Sequence, residues 1–185
     1  VKLLLRYGAD ANLPAGRMRR SPLMLARDVN VAKELRAFFA SCKDRDAEGT
    51  SVLEYHCRQH RFELATLILK EAKFSVAELN DAAAVIATSV RASDSVGAIP
   101  MLRALAALGA DFSSSRVGIP LKCATLTASH AVVECFLDLG ADPAVISDLD
   151  LITGCDHLLS VQNGASDRMY KNSVCRLYTS PSPRD

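Results

Sequence analysis

The chain has 185 residues, 49% of them hydrophobic and 5% aromatic, with no tryptophan; it is long enough to bury a substantial core, built mainly from aliphatic side chains. A formal net charge of +1 with 23% charged residues leaves no global field to recruit nucleic acid or an anionic membrane surface. The apolar runs are short and broken by charge, far below the roughly 20 residues that span a bilayer, and no secretory signal is visible.

Six cysteines (Cys42, Cys57, Cys123, Cys135, Cys155 and Cys175) are scattered without a C-x-x-C pair. In a chain of this size they are expected to be buried thiols, which points to a reducing compartment, cytoplasmic or nuclear. The chain opens at Val1 rather than Met, so the natural N-terminus is expected to lie upstream.

Taken in order, Val1 to Asp10 reads as the end of a helix and its stop. Leu4 and Leu5 continue an apolar face, and Gly8 supplies the left-handed residue that ends a helix at little cost. Asp10 to Arg20 is a polar connector. Ser21-Pro22-Leu23 then starts a helix, with Ser21 as cap and Pro22 at the first helical position. Leu23, Leu25 and Ala26 are expected inside, followed by a second apolar face of Leu35, Phe38 and Phe39.

The pattern restarts at Ser51. Leu53, His56 and Cys57 share one short helix, and Phe62, Leu64, Leu67, Ile68 and Leu69 line the next at helical spacing. A looser third unit follows: an Ala-rich helix over 82–90, a polar turn over 91–97, and a helix over 101–108 ended by Gly109. A fourth unit has helices near 121–129 and 131–139, ended by Gly140. Leu149, Leu151, Ile152, Leu158 and Leu159 begin something further that never completes a second helix.

One register connects these units. Ile119 to Gly140, Ser51 to Ala72 and Thr88 to Gly109 each span 21 positions, and Ser51 to Ile119 spans 68, two steps of about 34, as expected of a solenoid of repeats. Ser21-Pro22-Leu23, Ile119-Pro120-Leu121 and the Gly-Ala-Asp triplets at 8–10, 109–111 and 140–142 resemble the ankyrin-repeat family, whose unit is about 33 residues long. The resemblance covers roughly residues 1–145. It implies an all-α helix-turn-helix solenoid, with units near 1–12 (partial), 17–46, 47–76, 77–113, 115–145 and 146–161 (partial).

The departures are substantial. Met24, Glu54 and Lys122 stand where the family motif has His. Ser51-Val52 lacks the proline. Ile119 cannot cap, forgoing about 1 kcal/mol. Cys42-Lys43-Asp44 and Ala72-Lys73-Phe74 replace Gly-Ala-Asp, and uneven stability along the stack is expected. Residues 162–185 form a tail set apart from the stack. From Asn172 onward it is Ser/Pro-rich without apolar period, expected to be disordered, and is similar to translated linker or adapter sequence rather than native protein.

Chemistry-bearing clusters carry simpler explanations. His56, Cys57 and His60 look like metal ligands, but no second pair follows at zinc spacing; His56 falls at an inward position and His60 in the turn between helices. Cys155-Asp156-His157 are adjacent in sequence, whereas a triad must converge in space. Asp44, Asp46, Asp148 and Asp150 are expected to be solvated turn carboxylates. No phosphate-binding glycine loop is present. Arg17, Arg19 and Arg20 form the basic cluster, expected to be a solvated turn that could, with Arg6, meet an acidic or phosphorylated partner.

The resemblance implies a non-catalytic protein-interaction module, monomeric and without cofactor or metal, that binds a protein on the concave face of the stack. The contacts would come from connector tips and the exposed ends of first helices. Carried over unit by unit, these are Arg17, Met18 and Arg20; Ala47, Glu48, Thr50, Arg58 and Gln59; and Ser115, Arg116, Leu126 and Thr127. The alternatives are the substrate-targeting region of a larger enzyme, or a structural spacer.

Overall fold

The computed structural model describes residues 1–90, 95–112 and 130–143. Eight helices are present among them: α1 (Lys2–Arg6), α2 (Pro22–Leu25), α3 (Val29–Ala37), α4 (Val52–Arg58), α5 (Phe62–Glu71), α6 (Val76–Ser89), α7 (Ser95–Ala107) and α8 (His130–Asp138). No extended strand occurs among the described residues; two isolated antiparallel bridges, Ala15 with Arg20 and Arg45 with Ser51, close the connectors. The fold is all-α, built from helix-turn-helix repeats.

The chain divides into two compact units, Val1–Glu78 and Leu79–Asp185. In the first, α2 pairs with α3 and α4 with α5, while like helices stack on like: α2 on α4, and α1 on α3 on α5. The buried positions follow from that packing. α2 packs on α4 and buries Leu23 and Met24 while α4 buries Val52, Leu53, His56 and Cys57; α3 packs on α5 and buries Ala32 and Leu35 while α5 buries Leu64, Ala65, Ile68 and Leu69. Alanine recurs at these positions because short helices must approach closely to exclude water.

In the second unit α6 buries Leu79, Ala82, Ala83, Ile86 and Ala87 at three- and four-residue spacing. Helix α7 packs on α8, and Phe112 lies against Phe136 at 5.5 Å between ring centroids. Two elements differ from the sequence reading. Helix α6 starts at Val76, six residues before position 82, because Ser75 and Glu78 form a capping box: Glu78 N–H donates to Ser75 Oγ at 3.3 Å and Glu78 Oε2 accepts from Ser75 N–H at 2.8 Å. Helix α7 starts at Ser95 and runs through Pro100, a residue that usually marks a helix start because it lacks an N–H to give. Thr88 therefore lies near the end of α6, and the 21-residue span from it to Gly109 does not mark a helix start.

Helix ends share one device. In α1, α3, α4, α7 and α8 a left-handed residue follows the helix, and the next N–H donates to the carbonyl five residues back: Ala9 to Leu4, Ala40 to Leu35, Arg61 to His56, Ala110 to Leu105 and Ala141 to Phe136, all at 2.9–3.0 Å. Gly8, Gly109 and Gly140 fill the position at φ 90°, 99° and 91°, with open space around each. Backbone conformation, not crowding, thus selects glycine there.

At α3 the same position is Phe39, at φ 63°. The equivalent of Gly-Ala-Asp is thus Phe39-Ala40-Ser41, not Cys42-Lys43-Asp44. Phe39 is 87% exposed and Phe38 is exposed as well, correcting their expected place in the core; Ala32, Leu35 and Ala40 fill it instead. Leu25, expected inside, is 46% exposed because α2 is four residues long and turns away at Ala26. After α5 no left-handed stop occurs: Ala72 is extended and leads directly to the Ser75 cap.

Glycine at position 39 would remove the steric cost of a Cβ at positive φ while giving up little packing. Phe39→Gly is expected to stabilise the protein by about 0.5–1 kcal/mol, read as a higher thermal midpoint by circular dichroism; an unchanged or lower midpoint would contradict the strain.

Candidate connector interface

The first connector is a hairpin built by its own backbone. Asp10 Oδ1 accepts from Asn12 N–H at 2.8 Å. Ala15 and Arg20 exchange N–H and C=O at 2.9 and 3.1 Å, and Gly16 and Arg19 sit at φ 72° and 50° to reverse the chain. This leaves Arg17 and Arg19 exposed at the tip and Met18 half-buried.

The second connector turns on Asp46. Its side chain is 1% exposed, and Oδ1 accepts from the N–H groups of Glu48 and Thr50, both at 3.0 Å. Asp46 N–H bonds Thr50 C=O at 3.0 Å, and Gly49, at φ 81°, returns its N–H to Asp46 C=O at 3.0 Å. Asp46 is therefore a buried organiser, correcting its reading as a solvated turn carboxylate: two main-chain donors replace the water it gave up. Arg45 Nη1 donates to Gly49 C=O at 2.7 Å and lies 3.6 Å from Glu54. Ser51 and Glu54 then form the capping box of α4, with Glu54 N–H on Ser51 Oγ at 3.2 Å.

The two connectors are joined. Ala47 N–H donates to Met18 C=O at 2.9 Å. Arg20 Nε stands 3.5 Å from Asp46 Oδ2, and its guanidinium lies 4.8 Å over the Tyr55 ring. Asn12 adds a third tie, its amide donating to Phe39 C=O at 3.2 Å and accepting from Ser41 N–H at 2.7 Å. A cleft of about 290 Å³ remains between them, lined by Asn12, Pro14, Arg19, Ser21 and residues 44–47. Ser21 has the extended backbone of a cap and Pro22 follows at the first helical position, but Ser21 Oγ is buried without a hydrogen bond among the described residues.

The structure thus sorts the residues singled out from sequence. Arg17, Ala47 and Glu48 are exposed on the joined tips, with Met18 partly covered between them. Arg58 and Gln59 are exposed at the end of α4. Arg20, partly exposed, is held by Asp46 and Tyr55, and Thr50 is 6% exposed; both brace the connectors, which leaves Arg17 and Arg19 as the freely solvated members of the basic cluster. Ser115, Arg116, Leu126 and Thr127 lie outside the described residues, as do residues 144–185 with Cys155-Asp156-His157. The organising role of Asp46, and Arg45 altogether, escape the sequence reading; Asp followed four residues later by Thr around a glycine is the legible signal, since a carboxylate there can collect the turn's N–H groups.

His56, the inward histidine, is 0% exposed. Its Nε2 lies 3.0 Å from Leu23 C=O, which can only accept, so Nε2 carries the proton and Nδ1 is bare. The hydrogen bond ties α4 to α2. His60 occupies the turn as expected, at φ 56°, with its ring stacked near Phe62 at 6.1 Å. Burial pushes the Cys57 thiol far up and raises Cys42 and Cys135, and all three are free and buried, the state expected of core cysteines. Among the described residues no three His, Cys, Asp or Glu side chains converge as a metal site, and no helix is long and apolar enough to cross a membrane.

No family model matches the sequence, and no curated protein matches it. Among solved structures, the chain is similar to the crystal structure of the human ASB11 ankyrin repeat domain, with 20% identity over 89% of this chain and 93% of that one, at a TM-score of 0.45.

Two predictions follow from this geometry. Burial lowers His56 to about 4 from an ordinary 6.5, so between those values the unfolded chain binds a proton that the folded chain refuses. Stability is therefore present above pH 6.5 and is lost as pH falls toward 4, by about 3 kcal/mol at most. The midpoint should drop between pH 7 and 4.5, and His56→Gln should flatten that slope; an equal slope in the variant would assign it elsewhere. Glu78, held at about 2 by the Ser75 N–H and Lys43, acts in a separate window below pH 4.5. Asp46→Ala should cost about 2–3 kcal/mol by orphaning two N–H groups and accelerate hydrogen exchange at Glu48 and Thr50. Unchanged exchange there would show that the turn does not rely on the carboxylate.

Proposed function

We propose that this chain is a non-catalytic protein-interaction module, and that the joined connector tips bear its partner-binding face. The observation that carries the reading is the main-chain bond from Ala47 to Met18, reinforced by Arg20 and Asp46. It fixes two loop tips relative to one another while leaving Arg17, Ala47 and Glu48 in solvent. Loops normally cost conformational entropy when they are ordered on binding; tips already held by the scaffold avoid part of that cost. Their chemistry, two exposed arginines (Arg17 and Arg19), one carboxylate and small or apolar neighbours, suits a mixed protein surface better than a polyanion, which would call for a wider basic stripe. Arg58 and Gln59, exposed at the far end of α4, are further candidates for the contact, and a single copy carries all of these residues.

The test is a pull-down from lysate of the source cells, read by mass spectrometry, with the whole chain and with Arg17→Ala/Glu48→Ala. Both residues are exposed and outside the bracing network, so the variant should keep its circular dichroism spectrum. A partner held by the wild type and bound roughly tenfold more weakly by the variant is the expected result. A partner retained undiminished would place the binding face elsewhere, and a folded chain that retains none would favour a structural spacer.

A further inference from the structure

A second surface lies on different elements from the connectors. Helices α1 and α3 pack through Leu5, Ala32 and Leu35, and beside that seam runs an open groove of about 440 Å³. Its walls carry Lys2 and Arg6, one helical turn apart on α1, and Lys33 and Glu34 on α3, with Ala37 and Phe38 at one end. Three cations thus face one carboxylate. That carboxylate is already engaged, since Lys2 Nζ lies 3.3 Å from Glu34 Oε1. Arg6 and Lys33 are exposed and make no ion pair among the described residues.

This local surplus contrasts with a chain whose net charge is only +1. It also differs from the other lysines and arginines of the same helix stack that meet acids, where Arg36 reaches Glu71 at 3.5 Å and Lys43 reaches Glu78 at 2.9 Å. Phe38 and Ala37 add an apolar wall to the same groove, and Phe38 is 37% exposed. Charge complementarity therefore calls for carboxylates, and the apolar wall for a hydrophobic side chain next to them.

We propose that the α1–α3 groove binds a short acidic peptide segment of a partner protein, with carboxylates on Arg6 and Lys33 and an apolar side chain against Phe38. A peptide fits better than nucleic acid because the cations are confined to one groove and do not continue as a stripe that could track a phosphate backbone. This surface is separate from the connector tips and does not depend on their role.

The test uses the whole chain and fluorescein-labelled acetylated hexapeptides of alternating Glu-Leu, Glu-Ser and Lys-Leu, followed by fluorescence anisotropy. The Glu-Leu peptide should bind best and weaken steeply between about 50 and about 300 mM NaCl, as screened contacts do. Arg6→Glu/Lys33→Glu should bind it roughly tenfold more weakly. Lys33→Glu alone, in the middle of α3, should lower affinity without disturbing α1. Phe38→Ser should bring Glu-Leu binding down to the level of Glu-Ser. No binding, equal binding by the double variant, or equal binding of Lys-Leu would overturn the proposal. So would capture by phosphatidylserine vesicles without peptide binding, which would make the groove a membrane contact. Circular dichroism of each variant distinguishes lost binding from lost folding.

Discussion

Helices this short cannot stand alone, and that constraint organises the rest of the structure. α2 has four residues and α4 seven, well under the dozen or so needed for even marginal helicity in water. Each persists because neighbours of the same kind cover its apolar side. In the first unit, α4 stacks on α2, and α5 on α3, with Leu23, Leu53, Ala65 and Ile68 sealed between them. The His56–Leu23 bond sits in this seam as a polar tie in an apolar setting. It is worth more there than at the surface, and it is the burial of the ring, not this bond, that makes His56 resist a second proton.

Stacking by repetition also demands a repeated way to stop. Five helices end in a left-handed residue and a backward N–H bond, which turns the chain sharply and satisfies carbonyls the helix leaves open. Three of these stops use glycine. Phe39 and His60 hold the same conformation with a side chain, so surrounding contacts must outweigh the steric cost. At Phe39 those contacts belong to its neighbours: Asn12 takes the Phe39 carbonyl and the Ser41 N–H, and Arg36 reaches the Ala40 carbonyl.

The connectors convert this scaffold into a surface. A buried carboxylate at Asp46 gathers two N–H groups, and Arg20 bridges from the adjoining loop, so rigidity at the tips is obtained from polar groups rather than from a core. This arrangement explains why residues next to each other in sequence have different roles. Arg17 and Glu48 are left free, whereas Arg20 and Thr50 are consumed in holding them. The proposed acidic-peptide groove follows the opposite logic: Lys2 is paired with Glu34, but Arg6 and Lys33 have no ion-pair partner among the described residues.

By itself the sequence determined the repeat and most of its inward faces. Three- and four-residue spacing of Leu, Ile and Ala can only be buried one way, and Gly8, Gly109 and Gly140 mark stops because they alone take positive φ without strain. Buried His56 and the thiols of Cys42, Cys57 and Cys135 were legible for the same reason. What only the tertiary structure decided were features set by partners distant in sequence. The stop at Phe39 carries no glycine to announce it, and Asn12, 27 residues away, helps hold it. Arg20 and Asp46 read as loop charges until the fold brings two connectors side by side. Helix α7 runs through Pro100, where local chemistry signals a start. Burial and pairing across repeats override local preference at those places, because a contact between loops leaves no periodic trace along the chain.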